Sequence, residues 1–202
     1  MLELVVAGEG REQEKLASMR SRAAQTGAEI QRSVAAIMED VRARGYDAVE
    51  EYSVKFDQNP PREVSMEELE QAAGRIAPDL LAALQRSAQH IRAYQQELLS
   101  EVQMGLRLWD SPSGGKVGRL VRPLQRVGVY VPGGRAAYPS SVLMNVIPAK
   151  VAGVEEVIMV TPPTENLSDV VLAAAWVAGV DRCIAVGGAQ AVAALTYGAG
   201  FI

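Results

Sequence analysis

The stretch from residue 126 to residue 154 reads RVGVYVPGGRAAYPSSVLMNVIPAKVAGV, and it decides how the rest of the chain is interpreted. Residues 127–131 form a short run rich in β-branched side chains, which is typical of a buried strand. Pro132 cannot continue a strand ladder and therefore ends it. The pair Gly133 and Gly134 allows backbone angles that other residues avoid and lets another group approach the main chain closely.

A helix is predicted directly after this glycine turn. Ser140 or Ser141 is expected to cap it, because a serine hydroxyl accepts a hydrogen bond from one of the first free N–H groups. Gly153 is the predicted stop. The side chains expected to point inward are Val142, Leu143, Val146 and Ile147.

The strand, turn and capped helix together suit an anionic group. Free N–H donors and the positive end of a helix dipole lie beside Arg135, which could pair with a phosphate or carboxylate. A turn of a parallel sheet without a ligand, and a solvated Arg135, are equally compatible with the pattern. The G-x-G-x-x-G spacing of the common dinucleotide fingerprint is absent.

Strands and helices alternate regularly after this segment. Because strands separated by one helix run parallel through right-handed crossovers, the pattern predicts successive units of a doubly wound α/β sheet. Ligands of such sheets bind at the carboxyl ends of the strands, where a second turn, Gly187 and Gly188, is also expected. The predicted elements are strands over 156–160 and 182–186 and helices over 168–178 and 191–197.

The chain before residue 122 is mainly helical. Residues 3–6 are expected to form a short strand or arm, residues 11–27 a loosely held surface element, and residues 106–121 a hairpin or short β meander. Ser65 and Glu68 form a capping-box pattern. Helices are predicted over 26–44, 46–56, 65–75 and 79–101. Their inward side chains are predicted to be Ile30, Val34, Ile37, Met38, Val41, Val49, Tyr52, Phe56, Leu81, Leu84, Ala88, Ile91, Tyr94 and Leu98.

We therefore expect two parts, residues 1–122 and residues 123–202. The 202 residues carry a net charge of −4, with 49% apolar and 22% charged residues, which is ordinary for a soluble globular protein. No basic block occurs, so nucleic acid is not an expected partner. No secretory signal or run of membrane-spanning length is visible, so we expect a cytoplasmic protein that does not bind a membrane.

The single cysteine and the single histidine limit the chemistry of the chain. Cys183 lies in a predicted strand and is expected to be a small buried hydrophobic residue. His90 falls beside the inward stripe of its helix, where a structural or solvent-facing role is expected. An ordinary zinc site of nitrogen and sulfur ligands cannot be built from this chain alone.

Tyr130 and Gln190 are the candidate ligand-binding side chains. Tyr130 is the next to last residue of the predicted strand over 127–131, and its ring could face a ligand or pack in the core with its hydroxyl bonded to a neighbour. Gln190 follows the second glycine pair, where its amide could contact a ribose or amide group or cap a helix.

Two long strings of this chain closely resemble histidinol dehydrogenase. They are VGVYVPGGRAAYPSSVLMNVIPAKVAGV and DRCIAVGGAQAVAALTYGAG. The resemblance implies a Rossmann-like, aldehyde dehydrogenase-like three-layer domain and the NAD-dependent oxidation of L-histidinol to L-histidine through the aldehyde. The tyrosine of VYVPGG and the glutamine of GGAQ contact NAD in that family, and they match Tyr130 and Gln190.

The same resemblance implies that essential parts lie beyond Ile202. The family's zinc ligands, its glutamate–histidine pair for proton transfer, its third strand-and-loop set and much of its homodimer contact all belong to that later region. We therefore expect part of a longer chain, with an incomplete domain, an exposed sheet edge, no catalytic or metal residues and no activity of its own. The expected cofactor is NAD, held by Tyr130, Gln190, Gly133, Gly134, Gly187 and Gly188, with zinc only in the full-length enzyme.

Two other interpretations remain open from the sequence. One is a non-catalytic nucleotide-binding or assembly module with the same fold, which the gene sequence beyond Ile202 would distinguish. The other is a different dehydrogenase of aldehyde dehydrogenase-like architecture, which the lack of a catalytic cysteine motif disfavours.

Overall fold

The computed structural model of the chain describes Val5, Gly8 and residues 11–133, 137–163 and 167–200, without the side chains of residues 22–26. The strand or arm predicted at residues 3–6 lies outside these ranges, apart from Val5. In chain order the helices and strands are α1 (Arg11–Arg44), α2 (Tyr46–Asp57), β1 (Arg62–Val64), α3 (Met66–Arg75), α4 (Pro78–Ser100), β2 (Gly105–Asp110), β3 (Lys116–Val121), β4 (Arg126–Tyr130), α5 (Pro139–Val151), β5 (Glu156–Thr161), α6 (Asp169–Ala178), β6 (Arg182–Ala185) and α7 (Gly188–Tyr197).

The main sheet has the strand order β1-β6-β5-β4. Strands β4, β5 and β6 are parallel, with Tyr130 opposite Val160 and Val160 opposite Ile184. This confirms the predicted succession of strand–helix units. β4 is an edge strand of the described sheet.

Strand β1 was not predicted. It pairs antiparallel with β6, with Val64 opposite Cys183. Only Val64 of its three residues is buried. Three residues are too few to show the alternation by which strands are recognised in a sequence. Its position is set by the sheet it joins.

Helices cover both faces of the sheet. Side chains of α3, α4, α5 and α6 share one buried cluster with Val129, Val157 and Met159. Side chains of α1, α2 and α7 share the other with Ile158, Val160 and Ile184. The alternating residues of β5 thus face opposite helical layers, which confirms the three-layer α/β fold.

The helix after the first glycine turn begins at least two residues earlier than the predicted caps allow. α5 starts at Pro139, and its N-cap is Tyr138, which makes no side-chain capping bond. The expected cap by Ser140 or Ser141 is therefore wrong. Proline has a fixed φ and no N–H, so it suits the first helical position and leaves both serines inside the first turn.

The remainder of α5 agrees with the prediction. Its four expected inward side chains are buried. Gly153 has a φ of +88°, and its N–H donates to the Lys150 carbonyl at 3.1 Å. A residue in this left-handed conformation is a common helix terminator.

The inward-facing side chains of the N-terminal helices were predicted correctly only in part. Residues 11–27 are not a separate element, because α1 runs unbroken through them. Four side chains predicted inward are exposed: Ile30, Phe56, Tyr94 and Leu98. Periodicity identifies an apolar face, whereas burial also needs a packing partner, and Leu98 instead borders an open cavity of about 190 Å³ beside Pro148 and Val151.

The predicted hairpin is present as β2 and β3, which pair antiparallel with Leu106 opposite Leu120. Nearly all of its residues are exposed.

The boundary expected near residue 122 stays a prediction. Contacts do cross it, because Arg75 pairs with Asp169 at 2.6 Å and Arg182 with Glu63 at 2.8 Å.

The capping box at α3 gives a test of local stability. The Ser65 hydroxyl accepts from the Glu68 N–H at 3.1 Å, and the Glu68 carboxylate accepts from the Ser65 N–H at 2.9 Å. We predict that Ser65→Ala lowers the free energy of unfolding by about 1 kcal/mol in urea denaturation, because one helical N–H loses its acceptor. Ser87→Ala, at an exposed position of α4, is the control and should change the free energy of unfolding by no more than a few tenths of a kcal/mol. Equal losses of stability in the two variants would contradict the capping role of Ser65.

The Glu63–Arg182 pair gives a test of pH dependence. Hydrogen bonding to Arg182 lowers the pKa of Glu63 below its ordinary value. A carboxyl with a depressed pKa stabilises the fold above its unfolded pKa of about 4.3, and this contribution is lost as the pH falls through the folded pKa. Glu63→Gln should therefore lower the free energy of unfolding at pH 7 by roughly half a kcal/mol, since the pair is partly exposed.

The difference in the free energy of unfolding between Glu63→Gln and the unmutated chain should disappear when urea denaturation is carried out at the lowest pH at which the chain is still folded. Glu70→Gln is the matched control, since Glu70 is an exposed carboxylate of α3 without an ion pair among the described residues. A difference for Glu63→Gln that stays constant with pH would contradict this role of the pair.

Candidate functional site

Three parallel strands end side by side at the carboxyl edge of the sheet. The N–H of Val131 donates to the Val160 carbonyl and the N–H of Val186 donates to the Thr161 carbonyl, both at 2.9 Å. These bonds continue the parallel pairing past the ends of β4 and β6. Gly133 and the turn formed by Gly187 and Gly188 therefore lie next to the end of β5, at the edge that the sequence indicated.

A hydrogen bond joins the two turns directly. The N–H of Gly188 donates to the Tyr130 hydroxyl at 3.2 Å. Tyr130 is the last residue of β4 and is 37% exposed, so its ring is not a core side chain although its hydroxyl has a partner. The hydroxyl is thus bonded to a neighbour, as one of the two expected interpretations has it, but the ring is exposed and not packed in the core. Contact of the ring with a ligand stays a prediction.

The need for glycine differs among the predicted positions. A Cβ on Gly187 would come within 2.8 Å of the Pro162 ring, so only glycine fits there without displacement. Gly188 has a φ of +66°, which favours glycine. A Cβ on Gly133 would lie 3.4 Å from Pro162, which is a tight but tolerable contact. Gly134 and Arg135 lie outside the described residues, so their predicted roles are not tested.

Gln190 lies in the first turn of α7, because that helix begins at Gly188 and not at residue 191 as predicted. The residue is completely buried, yet neither atom of its side-chain amide has a hydrogen-bond partner among the described residues. A buried polar group without a partner costs about 1–3 kcal/mol. Such a cost in a folded protein calls for an explanation, because buried amides ordinarily have a hydrogen-bond partner.

Asp57 is a site residue that the sequence interpretation missed. It is the last residue of α2, and its carboxylate accepts a hydrogen bond from the Gly187 backbone N–H. Burial raises the pKa of Asp57, and the bond from Gly187 opposes that shift. An acid at the negative end of a helix is unfavourable, so its position was a signal that could have been noticed.

Neither Cys183 nor His90 belongs to this site. Cys183 is fully buried, and burial raises the pKa of its thiol to about 12, so the expected role as a small buried hydrophobic residue is confirmed. His90 is exposed on α4, and a solvent-facing position was one of the two expected from the sequence.

No group of three or more histidine, cysteine, aspartate or glutamate side chains is arranged to hold a metal ion in the described parts of the chain. The described residues therefore do not form a zinc site. Among the described helices, none combines the length and apolarity needed to cross a membrane.

Comparison with known proteins points to one family. A family model described as histidinol dehydrogenase matches residues 20–202. The histidinol dehydrogenase of Cupriavidus pinatubonensis is 49% identical over 177 residues, which are 84% of this chain and 39% of that protein. That of Burkholderia mallei is 47% identical over 200 residues, 95% of this chain and 44% of that protein.

A solved structure gives the same result. The crystal structure of histidinol dehydrogenase from Elizabethkingia anophelis matches with a TM-score of 0.75 and 30% sequence identity, covering 86% of this chain and 40% of that one. The chain thus spans about two fifths of the length of the relatives it matches. With a family model that covers nearly all of its residues, the chain belongs to the histidinol dehydrogenase family.

Proposed function

We propose that this chain binds NAD at the carboxyl edge of its sheet and forms part of the dinucleotide site of a histidinol-oxidising enzyme. The residues proposed to hold NAD are Tyr130, Gln190, Gly133, Gly134, Gly187 and Gly188. The observation that carries the proposal is the Gln190 amide, which is buried beside the second turn without a hydrogen-bond partner among the described residues.

The geometry of the two turns supports this site over a purely structural one. If Gln190 only packed in the interior, an apolar side chain of similar size would avoid the cost of its two unpaired atoms. Its amide oxygen lies so close to Gly188 that a Cβ there would overlap it. The amide is thus placed at the turn, where it can donate to and accept from the same ligand.

Each proposed residue has a distinct task. Gln190 supplies a donor and an acceptor for a ribose or carboxamide group. Gly187 allows the close packing of the second turn against Pro162, and Gly188 leaves its backbone exposed. The Tyr130 ring offers an exposed apolar surface for a planar group, and its hydroxyl accepts a hydrogen bond from the Gly188 N–H. NAD, when bound, supplies the hydride acceptor for oxidation of an alcohol.

The activity of a whole protein of this family is part of the same proposal. We propose that it oxidises L-histidinol to L-histidine in histidine biosynthesis, with zinc and an acid–base pair supplied by residues outside this sequence, as a cytoplasmic homodimer. Family membership supports the reaction class.

A general base must lie within hydrogen-bond reach of the proton it takes. His90 lies on the exposed surface of α4 and is not such a group at the two turns. The 202-residue chain is therefore proposed to bind NAD without oxidising histidinol.

We predict that NAD binds to the 202-residue chain in isothermal titration calorimetry and that Gln190→Ala weakens it by about threefold to tenfold, the loss expected for one or two neutral hydrogen bonds. Tyr130→Ala should also weaken binding, because the ring surface and the contact to Gly188 are both removed.

Gln85→Ala, on the exposed face of α4, is the matched control and should leave the affinity unchanged. Circular dichroism of each variant checks that the fold is retained. Affinities for NAD that stay the same in both site variants would refute the assignment of Tyr130 and Gln190.

A further inference from the structure

Asp57 occupies a position that local helix chemistry disfavours. It is the last residue of α2, where the partial negative charge of the helix end repels a carboxylate. The next residue, Gln58, turns the chain with a φ of +58° and donates its N–H to the Val54 carbonyl at 3.1 Å. Natural sequences tend to break such local rules at functional sites, so the position of Asp57 needs an explanation.

The carboxylate lies at the start of another helix. Its hydrogen bond from Gly187 places it at the N-cap of α7, where the helix dipole is positive. Only one oxygen is used in this bond, since Oδ2 of Asp57 is buried and has no partner among the described residues. The negative charge at the second turn is therefore only partly compensated.

The first two N–H groups of this turn are already engaged. Gly187 donates to Asp57, and Gly188 donates to the Tyr130 hydroxyl. A helix N-terminus ordinarily attracts phosphate through such groups, but here a carboxylate holds that place. A second anion would meet the repulsion of Asp57, whereas an uncharged group with hydroxyl donors would not.

The buried Gln190 amide supports a ligand at the same turn. It is fully buried beside Gly188, with a free donor and a free acceptor. An uncharged diol matches these two groups, because each hydroxyl both donates and accepts. In dinucleotide sites of the G-x-G-x-x-G type, whose spacing this chain lacks, an acidic side chain recognises the unphosphorylated ribose, which shows that a carboxylate and a ribose are compatible neighbours.

We propose that Asp57 is a positioning residue that selects NAD over NADP, because it holds the Gly187 N–H and keeps a negative charge where the phosphate of NADP would have to lie. The second turn then takes the adenosine ribose of NAD, with Gln190 beside it. This inference rests on the proposed function, since it assigns a part of the same NAD site.

The test compares NAD and NADP binding to the 202-residue chain by calorimetry at pH 8, well above the ordinary pKa of an aspartate. The unmutated chain should bind NAD at least tenfold more tightly than NADP. Asp57→Asn keeps an acceptor for Gly187 but removes the charge, and it should reduce that ratio at least fivefold, mainly by tightening NADP. Asp57→Glu restores a charge and should retain the preference for NAD.

Asp47→Asn is the matched control, because it removes an exposed carboxylate from the first turn of the same helix. It should leave the ratio unchanged. A second measurement does not depend on any variant: raising the KCl concentration from about 20 mM to about 500 mM should reduce the preference of the unmutated chain, since salt screens charge repulsion.

The outcomes separate the two proposals. If the unmutated chain binds NAD but Asp57→Asn leaves the NAD-to-NADP ratio unchanged, the role of Asp57 is overturned and the NAD site stands. A ratio of NAD to NADP affinity near one in the unmutated chain would likewise overturn the role of Asp57 and leave the NAD site standing. If the unmutated chain binds neither nucleotide, the proposed function itself fails and the inference fails with it.

Discussion

The parallel register of β4, β5 and β6 is the constraint from which the candidate site follows. Because Tyr130 lies opposite Val160 and Val160 opposite Ile184, the three strands end at the same level of the sheet. Residues far apart in sequence are thereby brought to one edge, where the Gly188 N–H reaches the Tyr130 hydroxyl. A shift of register would separate the two turns and leave no common edge for a ligand.

Packing on both faces holds this register in place. β5 is buried on each side, with Met159 facing the layer of α5 and α6 and Val160 facing the layer of α7. The N-terminal helices add to both layers, and β1 closes the edge of β6. The N-terminal part therefore contributes to the site indirectly, and through Asp57 it contributes a side chain that contacts the second turn.

The sequence was sufficient to predict the parallel sheet, because alternating strands and helices leave few possible topologies. It also placed Gly133, the turn of Gly187 and Gly188, and the neighbouring Tyr130 and Gln190 at the carboxyl edge. The capping box of α3 and the end of α5 at Gly153 were predictable because each depends on residues close in sequence. The start of α5 was missed since two serines were weighted above Pro139, although proline suits the first helical position.

Features that depend on distant packing could not be predicted in this way. The exposure of Ile30 and Tyr94 depends on which elements pack against their helices, and the pairing of β1 depends on a strand about 120 residues later. The contact of Asp57 with Gly187 joins the end of one helix to the start of another, and nothing in the local pattern specifies it. The complete burial of the Gln190 amide likewise appears only when α7 is packed against the sheet.

Titration of the ¹⁵N-labelled chain with NAD, followed by NMR, tests most directly whether the two turns form one dinucleotide site. We predict saturable shifts of the Gly188 backbone amide and of the Gln190 side-chain amide, with the exposed Gln85 side-chain amide unmoved as an internal reference. Shifts confined to other surfaces, or a Gln190 side-chain amide that does not respond at saturating NAD, would contradict it.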